Sequence, residues 1–214
     1  MLTINNYVTP SPEQWEIIIH GMRNPMNSWD KSDSIIDGGR FLIGMADLDL
    51  MHRLSRAGTD HRKFMRMIPV YITITAPLYW WKEFDTYKIG TVANSCSTMH
   101  KLHARPLTLD DFSCENLNLD SIEILTRLIK GLNEYRSDYL FRHDKSDWWQ
   151  LIQLLPSSYN QQRTVFLNYE VLHNIYHSRR DHKLTEWHTL CDFIRRLPFA
   201  NIITGEAISN LCTT

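Results

Sequence analysis

Apolar and polar residues alternate in the stretch RMIPVYITITA, residues 66–76, with the period of a β-strand. One side of this strand carries Val70, Ile72 and Ile74, and the other carries Tyr71, Thr73 and Thr75. The pattern predicts a strand with one face in the core, ending at Pro77. The following residues, PLYWWKEFDTYK, are typical of a short helix that starts at the proline. A loop of small polar residues is predicted from Gly90 to Thr98.

Most other apolar positions recur with the period of an α-helix. A helix is predicted from about Pro12 to Gly21, with Ser11 as its N-cap and Gln14 completing a capping box. Glycines and aspartates between residues 30 and 44 predict turns, and a helix follows that stops at Gly58. Four further helices are predicted over residues 119–135, 146–155 with Ser146 as its cap, about 161–178, and 184–197 before Pro198.

Strands early in the chain and helices later predict an α+β fold with helices packed on a sheet. At 214 residues and 43% hydrophobic content, the chain can bury a sizeable core. No repeat, low-complexity segment or linker composition marks a boundary. The sequence therefore predicts a single domain over residues 1–214.

Charge and hydropathy narrow the class of protein. The formal net charge is -1, so no overall positive field favours nucleic-acid binding. No apolar run is long enough to cross a bilayer, and the first residues do not have the pattern of a signal peptide. A cytoplasmic protein without membrane or nucleic-acid partners is expected.

Neither the cysteines nor the histidines form a strong metal motif. The four cysteines, Cys96, Cys114, Cys191 and Cys212, are far apart, which favours reduced thiols. His173 and His177 are four residues apart and could share one face of a helix, but no carboxylate stands between them. No metal site is predicted. The usual dinucleotide, P-loop, nucleophile-elbow and zincin motifs are also absent from the sequence.

The adjacent tryptophans Trp80 and Trp81 have two interpretations. Bulky aromatic residues mostly pack in cores, and core packing is the favoured interpretation. The alternative is a wall for a flat ligand, with the loop from Gly90 to Thr98 offering amide and hydroxyl groups to phosphate or carbonyl oxygens. Of the two features, the loop is the stronger candidate for a functional site.

Two regions together resemble the flavin-dependent thymidylate synthases. The first is APLYWWKEFDTYKIGTVANSCSTMHKL, where that family has an Arg-His-Arg triplet and then Asn-Glu-x-Ser-x-Arg. Here Thr86, Tyr87 and Lys88 stand at the triplet. Asn94 and Ser97 match the second motif, if one residue is inserted between the triplet and this motif.

The second region is RTVFLNYEVLHNIYHSRRDHKLTEWHTL. The family has Asn-x-Arg, a second Asn, Leu-Arg and Ala-Gln-Trp-Glu in this order. Asn168, Asn174, Arg179 and Trp187 match in order, and Glu170 stands where the first arginine belongs. The resemblance spans about residues 62–193.

The resemblance implies the α+β fold of that family with its small, mostly antiparallel sheet, a homotetramer, and active sites built from several subunits. It implies FAD contacts for Asn168 and Asn174, with Tyr87 and Lys88 at the triplet position as further cofactor-binding candidates. Nucleotide contacts are implied for Ser97 and Arg179, and Asn94 is a further substrate-binding candidate beside the matching serine.

The implied reaction methylates dUMP or a related pyrimidine nucleotide. Methylenetetrahydrofolate supplies the methylene group, reduced FAD supplies a hydride, and NADPH recharges the flavin. No catalytic side chain is assigned by this scheme. The motif also departs from the family: Thr86, Tyr87 and Lys88 replace Arg-His-Arg and remove most of its positive charge, and Met99 and Glu170 replace two cations near the nucleotide phosphate. Because arginine is the stronger partner of phosphate, an alternative is a nucleotide-binding protein of the same fold that has lost the reaction or changed its specificity.

Overall fold

The structure, a computed structural model, describes residues 1–206. Its helices are α1 Pro12–Arg23, α2 Met45–Arg56, α3 Leu78–Phe84, α4 Thr98–Lys101, α5 Leu119–Arg142, α6 Lys145–Gln153, α7 Tyr169–Arg179, α8 Thr185–Ile194 and α9 Asn201–Thr204. Its strands are β1 Thr3–Val8, β2 Ile35–Asp37, β3 Arg40–Leu42, β4 Pro69–Pro77, β5 Val92–Ser95 and β6 Asn160–Asn168. The α+β class is confirmed. None of the helices described is both long enough and apolar enough to cross a bilayer.

The strands form one sheet of four and one hairpin. The four-stranded sheet has the order β1-β4-β6-β5, and β2 pairs with β3 in antiparallel register. The predicted strand at residues 66–76 corresponds to β4, in which Val70, Ile72 and Ile74 are buried. The alternating pattern therefore identified the core face of this strand correctly.

The residues group into two compact units. Unit 1 contains residues 1–5, 73–86 and 93–164, and unit 2 contains residues 6–72, 87–92 and 165–206 of the described chain. The single domain over residues 1–214 stays a prediction.

In unit 1 the two adjacent tryptophans are core residues. Trp80 and Trp81 are both 0% exposed on the short helix α3, and their rings meet edge to face with centroids 4.8 Å apart. Trp81 donates its indole N–H to the Gln161 carbonyl at 2.8 Å, and the Arg163 guanidinium lies 4.4 Å from its ring centroid. The core-packing interpretation is confirmed.

The remaining core of unit 1 forms around α5 and α6. The apolar stripe of α5 buries Leu125, Ile129 and Leu132, and Leu151 of α6 belongs to the same cluster. The structure extends α5 to Arg142, beyond the predicted end at residue 135. Helix α6 begins at Lys145 and is capped by Asp144, whose carboxylate accepts the Ser146 N–H at 2.8 Å. The predicted cap at Ser146 is therefore wrong. Ser146 lies inside the helix, and the Asp144 side chain is the acceptor that caps it.

In unit 2 the first helix follows its sequence signals. The Ser11 side chain accepts the Gln14 N–H, and the Gln14 side chain accepts the Ser11 N–H, so the predicted capping box is confirmed. The turns predicted after it include the β2–β3 hairpin, in which Gly38 and Gly39 have φ of 54° and 74°. Two successive residues with positive φ match the right-handed twist of a tight hairpin and favour glycine.

One predicted helix is wrong in its first half. Residues 160–168 form strand β6, and helix α7 begins only at Tyr169. The apolar residues Val165 and Leu167 alternate with more exposed neighbours, which is the period of a strand. The Asn168 side chain accepts the Val171 N–H at 3.1 Å and thereby starts the helix. The loop predicted from Gly90 to Thr98 likewise contains β5 and the first residue of α4.

Candidate functional site

Arg179, near the C-terminal end of α7, belongs to an aromatic cluster in unit 2. Its Nε donates to the Tyr87 hydroxyl at 3.0 Å, and its guanidinium carbon lies 4.8 Å from the Trp187 ring centroid and 5.7 Å from that of Tyr87. Trp187 is 0% exposed, whereas Arg179 and Tyr87 are half-buried. The tryptophan fixes the plane of the guanidinium, and the tyrosine hydroxyl fixes its rotation.

This arrangement orients a cation before any ligand arrives. A guanidinium presents N–H donors in a rigid fork that matches the oxygens of a phosphate or carboxylate. Trp187 appears in the sequence only as a matching motif residue, and its direct role under Arg179 was missed because the two side chains lie on different helices.

Asn168 is held at the junction of β6 and α7. It is 7% exposed, and its Oδ1 is committed to the Val171 N–H. Gly90 lies directly against it: a Cβ atom at Gly90 would fall 3.0 Å from Asn168 Nδ2 and 3.2 Å from Val171 Cγ2. The turn that carries Tyr87 and Lys88 is thus packed on the first turn of α7.

Replacing Gly90 with alanine should disturb this junction. Gly90 has φ of +78°, which costs an alanine about 1–2 kcal/mol, and the added methyl group would also press on Asn168. Gly205 is a matched control, because it has φ of +73° and nothing within 4 Å of an added Cβ. We expect Gly90→Ala to lower the free energy of unfolding in urea by more than Gly205→Ala does. Equal losses in the two variants would mean that the contact between Gly90 and Asn168 does not contribute to stability.

Asn174 and Lys88 are both exposed. At about 100° per residue, Asn174 is turned about 140° around α7 from Arg179. The structure therefore does not bring Asn174 onto the Arg179 face, although the sequence places both on one helix. Lys88 follows Tyr87 in the turn and leaves an ammonium group in solvent.

The two predicted nucleotide contacts of the first motif belong to unit 1. Asn94 lies in β5, and Ser97 is the N-cap of α4, where its Oγ accepts the His100 N–H at 3.0 Å. The cap uses an acceptor lone pair of the hydroxyl, so the O–H group can still donate to a ligand oxygen. The Cys96 N–H donates to the Gln162 carbonyl at 2.9 Å, which ties this segment to β6. The predicted convergence of these residues with those on α7 stays a prediction.

Glu170 is the centre of an ion-pair network that sequence reasoning missed. Its carboxylate accepts from Arg66 Nε and, at 3.2 Å, from Arg66 Nη2, and Arg62 Nε lies 3.7 Å away. Arg62 and Arg66 lie on the 3₁₀ helix Arg62–Met67, and no local pattern in the sequence indicated that both contact Glu170. Glu170 therefore forms ion pairs with two arginines of its own chain, and its single negative charge balances one of them.

The same network engages both ring nitrogens of His173. Its Nδ1 donates to the Ile203 carbonyl at 2.8 Å, and its Nε2 accepts from Arg62 Nη1 at 2.7 Å. Burial lowers the pKa of His173, and the charge of Arg62 lowers it further. Because both ring nitrogens are engaged, the His173 and His177 pair does not offer the ligands of a metal site. Within residues 1–206 no group of three histidine, cysteine or acidic side chains is arranged to hold a metal ion.

The described cysteines are free thiols. Cys96 is exposed, Cys114 is half-buried and Cys191 is buried. Cys212 lies outside the described residues. Burial raises the pKa of Cys191 to about 11, so this thiol is protonated and unreactive near neutral pH.

Comparison with known proteins supports the fold. Neither a family model nor a curated protein matches the chain. Among solved structures, the flavin-dependent thymidylate synthase ThyX from Helicobacter pylori, complexed with FAD and dUMP, is 18% identical, with a TM-score of 0.63 over 95% of this chain and 96% of that one. A second structure of the same enzyme with FAD and dUMP, at 18% identity, gives a TM-score of 0.66 over 95% of both chains. The chain therefore has the fold of the flavin-dependent thymidylate synthases.

Proposed function

We propose that the chain binds a pyrimidine nucleotide and methylates it in the manner of the flavin-dependent thymidylate synthases. The observation that carries the proposal is the oriented guanidinium of Arg179, held by Tyr87 and Trp187 on a chain of that fold. Arg179 would bind the nucleotide phosphate, and the Ser97 hydroxyl and Asn94 amide are the other proposed nucleotide contacts. The nucleotide is dUMP or a close relative, and the proposed assembly is a cytoplasmic homotetramer.

The residues around Asn168 fit part of a flavin. The amide Nδ2 of Asn168 can donate to a ring carbonyl, Tyr87 offers a ring, and Lys88 offers a cation to the diphosphate. Asn174 is proposed as a second amide contact from its own face of α7. Bound FAD would supply the hydride that completes the methyl group, with methylenetetrahydrofolate and NADPH as co-substrates. The protein supplies stacking, orientation and charge.

FAD binding and the proposed reaction can be tested directly. Purified protein saturated with FAD and then desalted should remain yellow, and it should convert labelled dUMP when supplied with methylenetetrahydrofolate and NADPH. A colourless protein that leaves dUMP unchanged would exclude this reaction.

The proposed role of Arg179 in nucleotide binding is tested by Arg179→Lys. Lysine keeps the charge but loses the planar fork, the bond to Tyr87 and the contact with Trp187. We expect dUMP affinity, measured by calorimetry, to fall by about tenfold to a hundredfold, or about 1.5–3 kcal/mol. Arg180→Lys is the matched control, because Arg180 is exposed and pairs only with its neighbour Asp181 at 3.3 Å in the described structure. Equal affinities for the two variants would remove Arg179 from the nucleotide site.

Glu170 favours a second candidate function. It stands where the family has an arginine, and its charge is matched by Arg62 and Arg66 rather than by a ligand. A site with fewer available cations suits a protein that binds nucleotide without flavin chemistry, or one with altered specificity. A rise in melting temperature with dUMP, in a protein that retains no FAD, would support this alternative.

A further inference from the structure

Unit 1 contains an open crevice that none of the residues proposed for nucleotide or flavin binding lines. It is formed by the segment 99–103, the C-terminal end of α5 and the first turn of α6, and its volume is about 380 Å³. We call it the α5–α6 crevice, and the lining residues used below are His100, His103, Tyr139, His143, Lys145 and Trp148.

Aromatic rings form the wall of this crevice. The Tyr139 ring lies beside two imidazoles, with its centroid 5.0 Å from that of His103 and 6.4 Å from that of His143, and it meets both edge to face. Trp148 donates its indole N–H to the Met99 carbonyl at 3.0 Å, which fixes the indole ring. Tyr139 and Trp148 are half-buried, so each is held by packing and still reaches solvent. The wall therefore offers fixed aromatic surface to a flat ligand.

The polar groups that line the crevice are accessible donors. His100, His143 and Lys145 are all exposed, and no acidic side chain of residues 1–206 lines the crevice. Lysine has three donors and a positive charge, and an imidazole donates at least one N–H in either protonation state. An anion with hydrogen-bond acceptors is therefore the ligand that this lining favours.

The acidic residues closest in sequence to this lining are engaged elsewhere. Asp144 caps α6 by accepting the Ser146 N–H at 2.8 Å. Asp138 and Asp147 both pair with Arg142, at 2.8 Å and 3.2 Å. Because these carboxylates have donors outside the crevice, they leave its positive charge to a ligand.

We propose that the α5–α6 crevice binds a single-ring aromatic oxyanion, which is an aromatic carboxylate or an aromatic phosphate ester. The ring lies against Tyr139 and Trp148, and the oxyanion accepts from the exposed side chains of His100, His143 and Lys145. A cavity of about 150 Å³ accommodates benzene, so the larger volume here has room for one ring and its charged substituent. The inference does not rest on the proposed function, and its test uses neither flavin nor nucleotide.

The test is a titration of the full-length, ¹⁵N-labelled chain with five small probes. Benzoate and phenyl phosphate have both the ring and the negative charge, benzyl alcohol lacks the charge, acetate lacks the ring, and benzylamine has the opposite charge. Both aromatic oxyanions should shift the indole resonance of Trp148, assigned by Trp148→Phe, in a saturable manner. Benzyl alcohol and acetate should bind more weakly, and benzylamine should bind weakest. The tighter of the two aromatic oxyanions identifies the preferred charged group.

Two variants separate the role of charge from that of the ring. Lys145→Gln should weaken benzoate and phenyl phosphate by about twofold to fivefold, the usual contribution of an exposed ion pair, and should leave benzyl alcohol unchanged. Lys101→Gln is the matched control, because Lys101 is exposed on α4 and does not line the crevice. Tyr139→Leu should weaken benzoate and benzyl alcohol alike, by about threefold to tenfold. Should Tyr139→Leu fail to fold, Lys145→Gln still tests the site, because Lys145 is exposed.

Four results would overturn the proposal. They are the absence of saturable shifts with both aromatic oxyanions, equal binding of benzoate and benzylamine, equal losses in the Lys145→Gln and Lys101→Gln variants, and a crystal soaked with phenyl phosphate that shows only ordered water in the crevice. Phenyl phosphate in the density, with its ring on Tyr139 and its phosphate at Lys145, would establish the site.

Discussion

Replacing Trp81 with alanine should cost unit 1 about 3–5 kcal/mol of unfolding free energy, the usual loss for a large aromatic residue removed from a core. Trp81 is 0% exposed, bonds to Gln161 and carries Arg163 over its ring, so the cavity would also remove two polar contacts. Urea unfolding followed by circular dichroism measures the change. A loss below about 1 kcal/mol would contradict the core assignment.

Two further variants separate packing from hydrogen bonding. Trp149→Ala is the matched control, because Trp149 is 41% exposed on α6, and we expect a loss of about 1 kcal/mol or less. Trp81→Phe keeps most of the ring but leaves the Gln161 carbonyl without its indole donor. Its expected cost is about 1–3 kcal/mol, the usual penalty for an unsatisfied buried polar group.

Asp47→Asn should destabilise unit 2 by about 3–5 kcal/mol, because the change leaves Arg23 as a buried charge without its counter-ion. The side chains of Arg23 and Asp47 are 4% and 0% exposed, and their closest atoms are 2.6 Å apart. Asp49→Asn is the control on the same helix. Asp49 pairs with Arg53 at 2.9 Å but is 66% exposed, so its loss should not exceed about 1 kcal/mol.

The same carboxylate gives stability a pH dependence with a defined sign. Burial by itself would raise the pKa of Asp47, but hydrogen bonds from Ser34, Ser32 and Arg23 outweigh burial and hold the pKa below its ordinary value. The stabilisation is therefore present above the ordinary aspartate pKa of about 3.9 and is lost as the pH falls through the lower folded value. Unfolding free energies between neutral and acid pH should show a shallower acid decline in Asp47→Asn. An unchanged slope would show that other carboxylates carry the acid transition.

Local patterns were sufficient for several elements of this chain. The capping box at Ser11, the alternation in β4 and the apolar stripe of α5 each depend on neighbours in sequence, so the sequence by itself identified them. The order of weak motifs also identified the fold, which the likeness to two FAD- and dUMP-bound structures supports. The burial of Trp80 and Trp81 was the favoured interpretation of the sequence for the same reason, since adjacent bulky aromatics are mostly core residues.

Only the tertiary structure decided that residues 160–168 form a strand and which partners the polar side chains contact. The stretch before Asn168 has apolar positions compatible with either a helix or a strand, and its place beside β4 in the sheet selects the strand. The pairing of Arg179 with Tyr87, of Glu170 with Arg66, and of Arg23 with Asp47 joins residues 92, 104 and 24 positions apart. The sequence determined which side chains could form these contacts. Their partners were set by packing, because long-range proximity depends on how the elements assemble and has no local signal in the sequence.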